Sequence, residues 1–430
     1  MLASLFTAQM SVPVVVVVFV LLCFVVLGLI LWSIKRHRDP HLRIECDAPV
    51  SELIPSLAGL THGGLLEGNA ALVLENGRFF DAVFEEIAKA SRSVHFETYL
   101  WKDGVLGRRL VAALVERCRA GVQVRVMVDA NGGKKMGREA RRQLRAGGCR
   151  LVMFHRKRLR NLGRLNRRDH RKLLVVDGRV AFVGGHCIVD SWLGDAGDKT
   201  HFRDLGLRLT GPVVNALQAT FSENWIDETG ELFVGEDVFP ALEPAGDVAV
   251  HVASVKPEGS APAVKILHHL AICLARERIL IQNPYFLPKA AAIDALGRAV
   301  ARGVDVRVML PSAEASDMPI VQHAAHRNFA RLLASGVRIF EYRKTLLHQK
   351  TIVVDGLWCG VGSSNFDERS FEINDEITLG LRSAALAGEL EAVFERDAQD
   401  CVELKHASWI RRGWRHRLKD QALYLFSQQL

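Results

Sequence analysis

Apolar positions along this 430-residue chain follow three rhythms. The first is an unbroken run, VPVVVVVFVLLCFVVLGLILWSI, from Val12 to Ile34, with no charge in it. A helix needs about 20 apolar residues to cross a bilayer, so this run predicts a membrane span. Lys35, Arg36 and Arg38 follow it directly and no Lys or Arg precedes it. Positive residues stay inside, which predicts an outer N-terminus and a cytoplasmic remainder. A cleaved signal peptide would carry a charged leading region and a shorter apolar core. The second rhythm is broken: Pro40, Pro49, Pro55 and Gly63-Gly64 mark residues 39–66 as a linker.

From Gly68 onward a third rhythm sets in, strand and helix periods in alternation. ALVLENG reads as a strand and turn, and FFDAVFEEIAKA as a helix with Phe80, Val83, Phe84 and Ile87 on one face. SVHFETYLW alternates as a strand does, GRRLVAALVERCRAG is a helix stopped by Gly, and VQVRVMVD is a strand. REARRQLRAGG is a short basic helix before the strand CRLVMF. The same order then recurs. RERILIQNPYFLP matches SVHFETYLW, AAIDALGRAVARG matches the second helix, VDVRVMLPS matches VQVRVMVDA, and ARLLASGVRIFEY matches RRQLRAGGCRLVMF.

Each series ends in the same short pattern. HRKLLVVDGRVAFVGGHC runs from His170 to Cys187, and HQKTIVVDGLWCGVGSSN from His348 to Asn365. Each has His, one residue, Lys, four apolar residues, Asp and Gly, then a Gly-Gly or Gly-Ser pair at the same offset. The two His lie 178 residues apart, and Gly121 and Gly303 lie 182 apart. Near-constant offsets with one element order indicate an internal duplication. They predict two homologous α/β domains, each a mixed sheet covered by helices, joined near residues 228–248. The expected divisions are a tail and membrane helix at 1–38, the linker at 39–66, domains at 67–230 and 231–385, and a helical tail at 386–430.

His and Lys two apart in a strand share a face. Two copies turned toward one another would set two imidazoles and two ammonium groups around one pocket, which suits a phosphodiester. One neutral His can attack phosphorus while the other, protonated, donates to the leaving oxygen. The two Lys would stabilise the anionic oxygens, so no divalent metal and no cofactor is required. Asp177 and Asp355 complete the pattern, and an Asp at a strand end before Gly reads as a turn-fixing residue.

The doubled HxKxxxxD pattern resembles that of the phospholipase D superfamily. Over roughly residues 51–430 the chain is most similar to the bacterial cardiolipin synthase branch. That resemblance implies two phospholipase D-like α/β sandwich domains with the active site at their interface. It counts His170, Lys172, Asp177, His348, Lys350 and Asp355 as the catalytic motif residues, the two Asp in a structural part. It makes His170 the nucleophile and His348 the acid and later the base. Asp204 in FRDLGL and Glu376 in NDEITL occupy matching places, and the resemblance gives such carboxylates the task of orienting the imidazoles. It also assigns substrate binding to Gly184, Gly185, Gly362, Ser363 and Asn365. Cys187 stands where the family usually has Asn, and one hydrophobic segment stands where there are often two. NPYFLP is similar to a stretch of cardiolipin synthases. Glu97, Tyr99 and Tyr285 are therefore pocket candidates, with core packing as the alternative.

Charge narrows the partner. The net charge is +8 and the pI about 9.1, which suits anionic lipid or nucleic acid. The stretch Arg156–Lys172 is strongly basic, with few aromatics for stacking on bases. Trp409–Leu430 mixes Trp409, Trp414, Leu418, Ala422, Leu425 and Phe426 with basic residues, as an interfacial helix does, with packing on the body as the alternative. The eight Cys are scattered without a CxxC pair, against a zinc ribbon or disulfide framework. His186, Cys187 and His201 lack clear ligand spacing.

These readings converge on a single-pass enzyme of a bacterial-type cytoplasmic membrane that makes cardiolipin from two phosphatidylglycerol molecules through a phosphohistidine. The expected partners are an anionic phospholipid and the bilayer, with nucleic acid the weaker fit. The alternatives are a phosphodiesterase that uses water on phospholipid or nucleic acid, and a non-catalytic lipid-binding protein on the same fold.

Overall fold

The structure, a computed structural model, describes residues 12–35, 42, 48–61, 63–156, 166–256, 262–413, 420, 421 and 423. Two units are distinct, Met1–His41 and Leu42–Leu430. The first contains helix α1 (Val12–Lys35), the apolar run of the sequence. Its side chains are described over 13–29, and among the described residues no helix is long and apolar enough to cross a membrane.

In the second unit, α2 (Leu53–Thr61) buries Leu53 and Leu57. The first series follows: β1 (Leu66–Glu75), α3 (Arg78–Lys89), β2 (Ser93–Thr98), α4 (Val105–Arg119), β3 (Gln123–Asp129), α5 (Arg138–Ala146) and β4 (Arg150–Phe154). It continues with β5 (Leu173–Val176), β6 (Val180–Gly184), β7 (Leu205–Thr210) and α6 (Val213–Thr229). The second series is β8 (Val248–Val255), α7 (Ala263–Leu274), β9 (Arg278–Gln282), α8 (Ala290–Ala301), β10 (Asp305–Pro311), α9 (Pro319–Ala334) and β11 (Arg338–Tyr342). It ends with β12 (Thr351–Val354), β13 (Trp358–Gly362), β14 (Glu376–Arg382), α10 (Ala384–Ala398), β15 (Cys401–Leu404) and α11 (His406–Ile410).

Among the described residues, fifteen strands join one mixed sheet. β1 and β8 pair antiparallel at its centre. One flank runs β7-β6-β5-β2-β3-β4 and the other β14-β13-β12-β9-β10-β11-β15. In each flank three strands are parallel, β2-β3-β4 and β9-β10-β11, and each is linked by a helix, as parallel crossovers require. Gly121 and Gly303, which follow α4 and α8, have φ of 91° and 94°, a left-handed turn that glycine adopts without strain.

Among the described residues, three apolar cores hold the layers. One lies under α3 and α4, with Phe80, Val83 and Leu110, and another under α7, α8 and α9, with Leu267, Leu296 and Phe329. The third joins both series, with Val175, Leu207 and Phe221 beside Val353, Leu379 and Phe394. The series are therefore packed on one another, so that the two motif ends are held rigidly together.

Two expectations change here. β2 is buried on both faces, because its polar side faces other protein: His95 Nδ1 lies 2.8 Å from Gln218 Oε1 on α6. Part of the expected tail at 386–430 belongs to the body. Leu386, Leu390 and Phe394 of α10 lie in the shared core, and β15 pairs with β11. Residues 157–165 of the basic stretch, and 414–419, 422 and 424–430 of the amphipathic tail, fall outside the described residues. Trp409 is described and is buried, its ring 5.2 Å from that of Phe329.

Candidate active site

His170 and Lys172 lie in the extended lead-in to β5, and His348 and Lys350 in that to β12. Each lead-in runs beside the other series. His170 N–H donates to the Asp375 carbonyl (2.9 Å), and Asp375 N–H to the Arg168 carbonyl (2.9 Å). In the mirrored place, His348 N–H donates to the Arg203 carbonyl (2.7 Å), and Arg203 N–H to that of Leu346 (2.9 Å). The residue after Asp375 is Glu376, and the residue after Arg203 is Asp204. This backbone pairing therefore brings each carboxylate to the imidazole of the opposite series. His170 Nδ1 lies 2.8 Å from Glu376 Oε1, and His348 Nδ1 lies 2.8 Å from Asp204 Oδ2. A carboxylate on Nδ1 fixes the tautomer and leaves Nε2 for chemistry.

The two carboxylates are held differently. Asp204 also accepts Trp192 Nε1–H (2.8 Å) and Leu205 N–H (2.9 Å). Burial alone would raise its pKa, but His186, His348 and Lys350 outweigh burial and hold Asp204 below the usual carboxylate range. Glu376 accepts the Ser363 hydroxyl. Burial pushes Glu376 up to about 7, against the pull of Lys172. His170 is held well below its ordinary value by burial, then by the charges of Lys172 and Lys350. His348 is lowered by burial and Lys350, with Asp204 opposing. Burial brings Lys350 down to about 8. Lys172 Nζ donates to the His170 carbonyl and Lys350 Nζ to that of His348, both at 2.6 Å. Lys350 Nζ also lies 3.0 Å from His348 Nδ1.

Both imidazoles line one cavity of about 350 Å³. Tyr99 stands edge-on to His170 at 5.1 Å and Trp192 edge-on to His348 at 5.1 Å, so an aromatic ring flanks each. Arg168 and Arg369 add positive charge to the wall. Two paired imidazoles, two buried ammonium groups and a cationic wall can bind a phosphodiester, attack its phosphorus and protonate what leaves.

The family model described as "Cardiolipin synthase, PLD-like domain" matches residues 83–198 and 270–398. The chain belongs to this family. It is 32% identical over 357 residues to the probable cardiolipin synthase YwiE of Bacillus subtilis strain 168, covering 83% of this chain and 71% of that protein. It is 34% identical over 362 residues to the cardiolipin synthase of Geobacillus kaustophilus, covering 83% and 72%. The phosphatidylserine synthase of Haemophilus influenzae superposes with a TM-score of 0.64 at 13% identity, over 88% of this chain and 97% of that one, a likeness of fold alone.

Within this PLD-like family site, some residues expected from the sequence stand elsewhere. Asp177 and Asp355 do not line the cavity. Asp177 accepts the N–H groups of Ser91, Arg92 and Ser93, and Asp355 those of Arg276, Glu277 and Arg278. Both have φ of 52°. They tie the turn after one strand to the start of another, the turn-fixing part that an Asp before Gly suggests, so although they belong to the catalytic motif they stand outside the cavity.

The glycines also change role. A Cβ on Gly184 would lie 2.7 Å from Gly206 Cα, one on Gly185 2.5 Å from Asp204 Oδ2, and one on Gly362 2.2 Å from the Ile377 carbonyl. They permit close strand approach and make room for Asp204, and they do not line the cavity. Ser363 supports Glu376 from behind and does not line the cavity either. Asn365 does line it, and its buried Oδ1 has no partner. Cys187 is buried at the cavity wall with Sγ toward the Gly185 carbonyl. Tyr99 and Tyr285 line the cavity. Glu97 is buried away from it and accepts Asn224 Nδ2–H at 2.8 Å. His186, Cys187 and His201 do not converge: His186 bonds the Asn76 carbonyl and His201 lies by Asp198.

Trp192, Asp317, Asp367 and Arg369 line the cavity without having been singled out in the sequence. Asp367 and Arg369 follow Asn365 directly, and that polar run beyond the motif was their signal. Trp192 and Asp317 sit in connections that carry no periodicity.

Proposed function

We propose that this chain is a phosphatidyltransferase that makes cardiolipin from two molecules of phosphatidylglycerol. The observation that carries the reading is one cavity lined by two imidazoles, each with its Nδ1 on a carboxylate of the opposite series. His170 Nε2 attacks the phosphorus of the first phosphatidylglycerol, and the bond from phosphorus to the glycerol oxygen breaks. His348 gives that oxygen its proton, and glycerol leaves. The terminal hydroxyl of a second phosphatidylglycerol then passes its proton to His348 and takes the phosphorus. The P–N bond breaks, cardiolipin forms and His170 is restored.

The unequal carboxylates support this order of roles. A Glu376 pushed up beside a His170 held down favours a neutral ring, as a nucleophile needs. An anionic Asp204, bound by two further N–H groups, opposes the burial that lowers His348, so His348 is held down less than His170 and is the better placed of the two to carry the acid's proton. Lys172 and Lys350 place positive charge beside His170, and Asn365, which lines the cavity, can donate its side-chain N–H to a phosphoryl oxygen.

The chain is also read as anchored in a bacterial cytoplasmic membrane by α1. The support is the uncharged run Val12–Ile34 followed by three basic residues. That run is 23 residues long, against the roughly 20 apolar residues a span needs.

Purified protein given phosphatidylglycerol should release glycerol and cardiolipin in equal amounts. Phosphatidic acid in place of cardiolipin would mean that water is the acceptor. His170→Ala should lose activity by about 10³-fold or more, and full activity in that variant would overturn the assigned role. Deleting residues 1–38 should release the protein from the membrane fraction at high salt.

A further inference from the structure

A second cluster of chemistry-bearing groups shares no residue with the catalytic cavity. His323 and His326 lie three apart on α9 and therefore on one face of it. Asp420, 2% exposed, approaches that face. Its Oδ1 is 3.1 Å from His323 Nδ1 and 3.6 Å from His326 Nδ1. The three donor atoms lie within 4.8 Å of one another.

His326 is the telling residue. It is 8% exposed, and neither of its ring nitrogens has a hydrogen-bond partner. Buried polar atoms without partners are few in native proteins and call for an explanation, such as an ion.

The spacing suits a metal. A tetrahedral ion bound at about 2.0–2.1 Å by nitrogen and oxygen sets its ligand atoms about 3.3 Å apart. The separations of 3.1 and 3.6 Å fall on either side of that value. Arg412 Nη1 lies 3.1 Å from Asp420 Oδ2, so Oδ1 is the oxygen left as a single donor. Glu341 Oε1 lies 3.8 Å from His326 Nε2. It lies on the side where, after a small movement, it would accept a hydrogen bond from Nε2–H once Nδ1 holds a metal, the arrangement that orients metal-bound imidazoles. A cavity of about 230 Å³ lined by His326, Trp409, Arg412 and Asp420 leaves room for water as a further ligand.

We propose that His323, His326 and Asp420 form a zinc site that fastens the C-terminal segment to α9. Two imidazoles and one carboxylate suit zinc, whereas calcium and magnesium take oxygen donors. The role is structural. α9 starts at Pro319, directly after Asp317 and Met318, which line the catalytic cavity, so the clamp also steadies that wall.

The test uses the full chain in detergent, stripped with a chelator, titrated with Zn²⁺ and assayed for bound metal and thermal stability. Wild type should retain about one zinc per chain and melt at a higher temperature with it. Asp420→Asn, a near-isosteric change in the terminal segment, and His326→Ala should each weaken zinc binding by about 10-fold or more. His348→Ala should retain zinc as wild type does. A metal-free Asp420→Asn protein that melts with metal-free wild type shows that its loss of zinc is not misfolding. No zinc retained by wild type, or equal zinc in Asp420→Asn and His326→Ala, would overturn the site and leave a plain histidine–aspartate contact.

Discussion

Asp204 and Glu376 meet their imidazoles at the same 2.8 Å, but Asp204 accepts two further N–H groups while Glu376 accepts a hydroxyl. The difference predicts unequal losses on neutralising each. Asp204→Asn removes the charge that stabilises imidazolium at His348 and should lower kcat by about 10²–10⁴-fold. Glu376→Gln keeps a hydrogen-bond acceptor beside a ring that must stay neutral and should cost about 10–100-fold. Steady-state kinetics on phosphatidylglycerol checks both, and the reverse order would exchange the two roles. Lys350 gives the pH dependence. In the proposed reaction its charged form would bind the phosphoryl oxygens, and burial brings it down to about 8. The proton is present below that pH and lost above it, so kcat/KM should fall as pH rises through about 8. Lys350→Arg, charged throughout, should show a lower rate without that alkaline limb.

At the scale of elements, Asp177 and Asp355 act on turns. Each accepts three backbone N–H groups, from the residues that open β2 and β9. Asp355→Ala leaves those donors to water and puts Ala at φ 52°. It should cost about 1–3 kcal/mol of stability, read as a lower unfolding midpoint, while activity persists at low temperature. A large loss of activity in a fully stable Asp355→Ala protein would return this residue to the chemistry.

The repeat of elements was legible because each strand and helix buries a regular face, and such periodicity survives in the sequence. The motif was legible because it occurs twice with one spacing. The partnership of His170 with Glu376 was not, because it depends on the backbone bond between His170 and Asp375 across the two series. The glycines misled for a related reason. Gly185 is needed for the room that Asp204 takes, and a sequence shows no such neighbour. The polar letters of β2 hid its burial, since their partners, such as Gln218, lie on a distant helix.

At the scale of the whole molecule, each series supplies one imidazole and the carboxylate for the other, so neither series holds a complete set. Arg203 ties them further: it pairs with Asp397 on α10 at 2.8 Å and with Glu75 on β1 at 2.6 Å, and is 5% exposed. The shared core of β5 and β7 with β12 and β14 then holds the two imidazoles on one cavity. The most direct measurement is mass spectrometry of peptides from enzyme quenched during turnover of phosphatidylglycerol. A phosphatidyl group, or its deacylated remnant, is expected on the peptide that carries His170, and none in His170→Ala. An adduct on another residue, or cardiolipin made by His170→Ala at the wild-type rate, would contradict it.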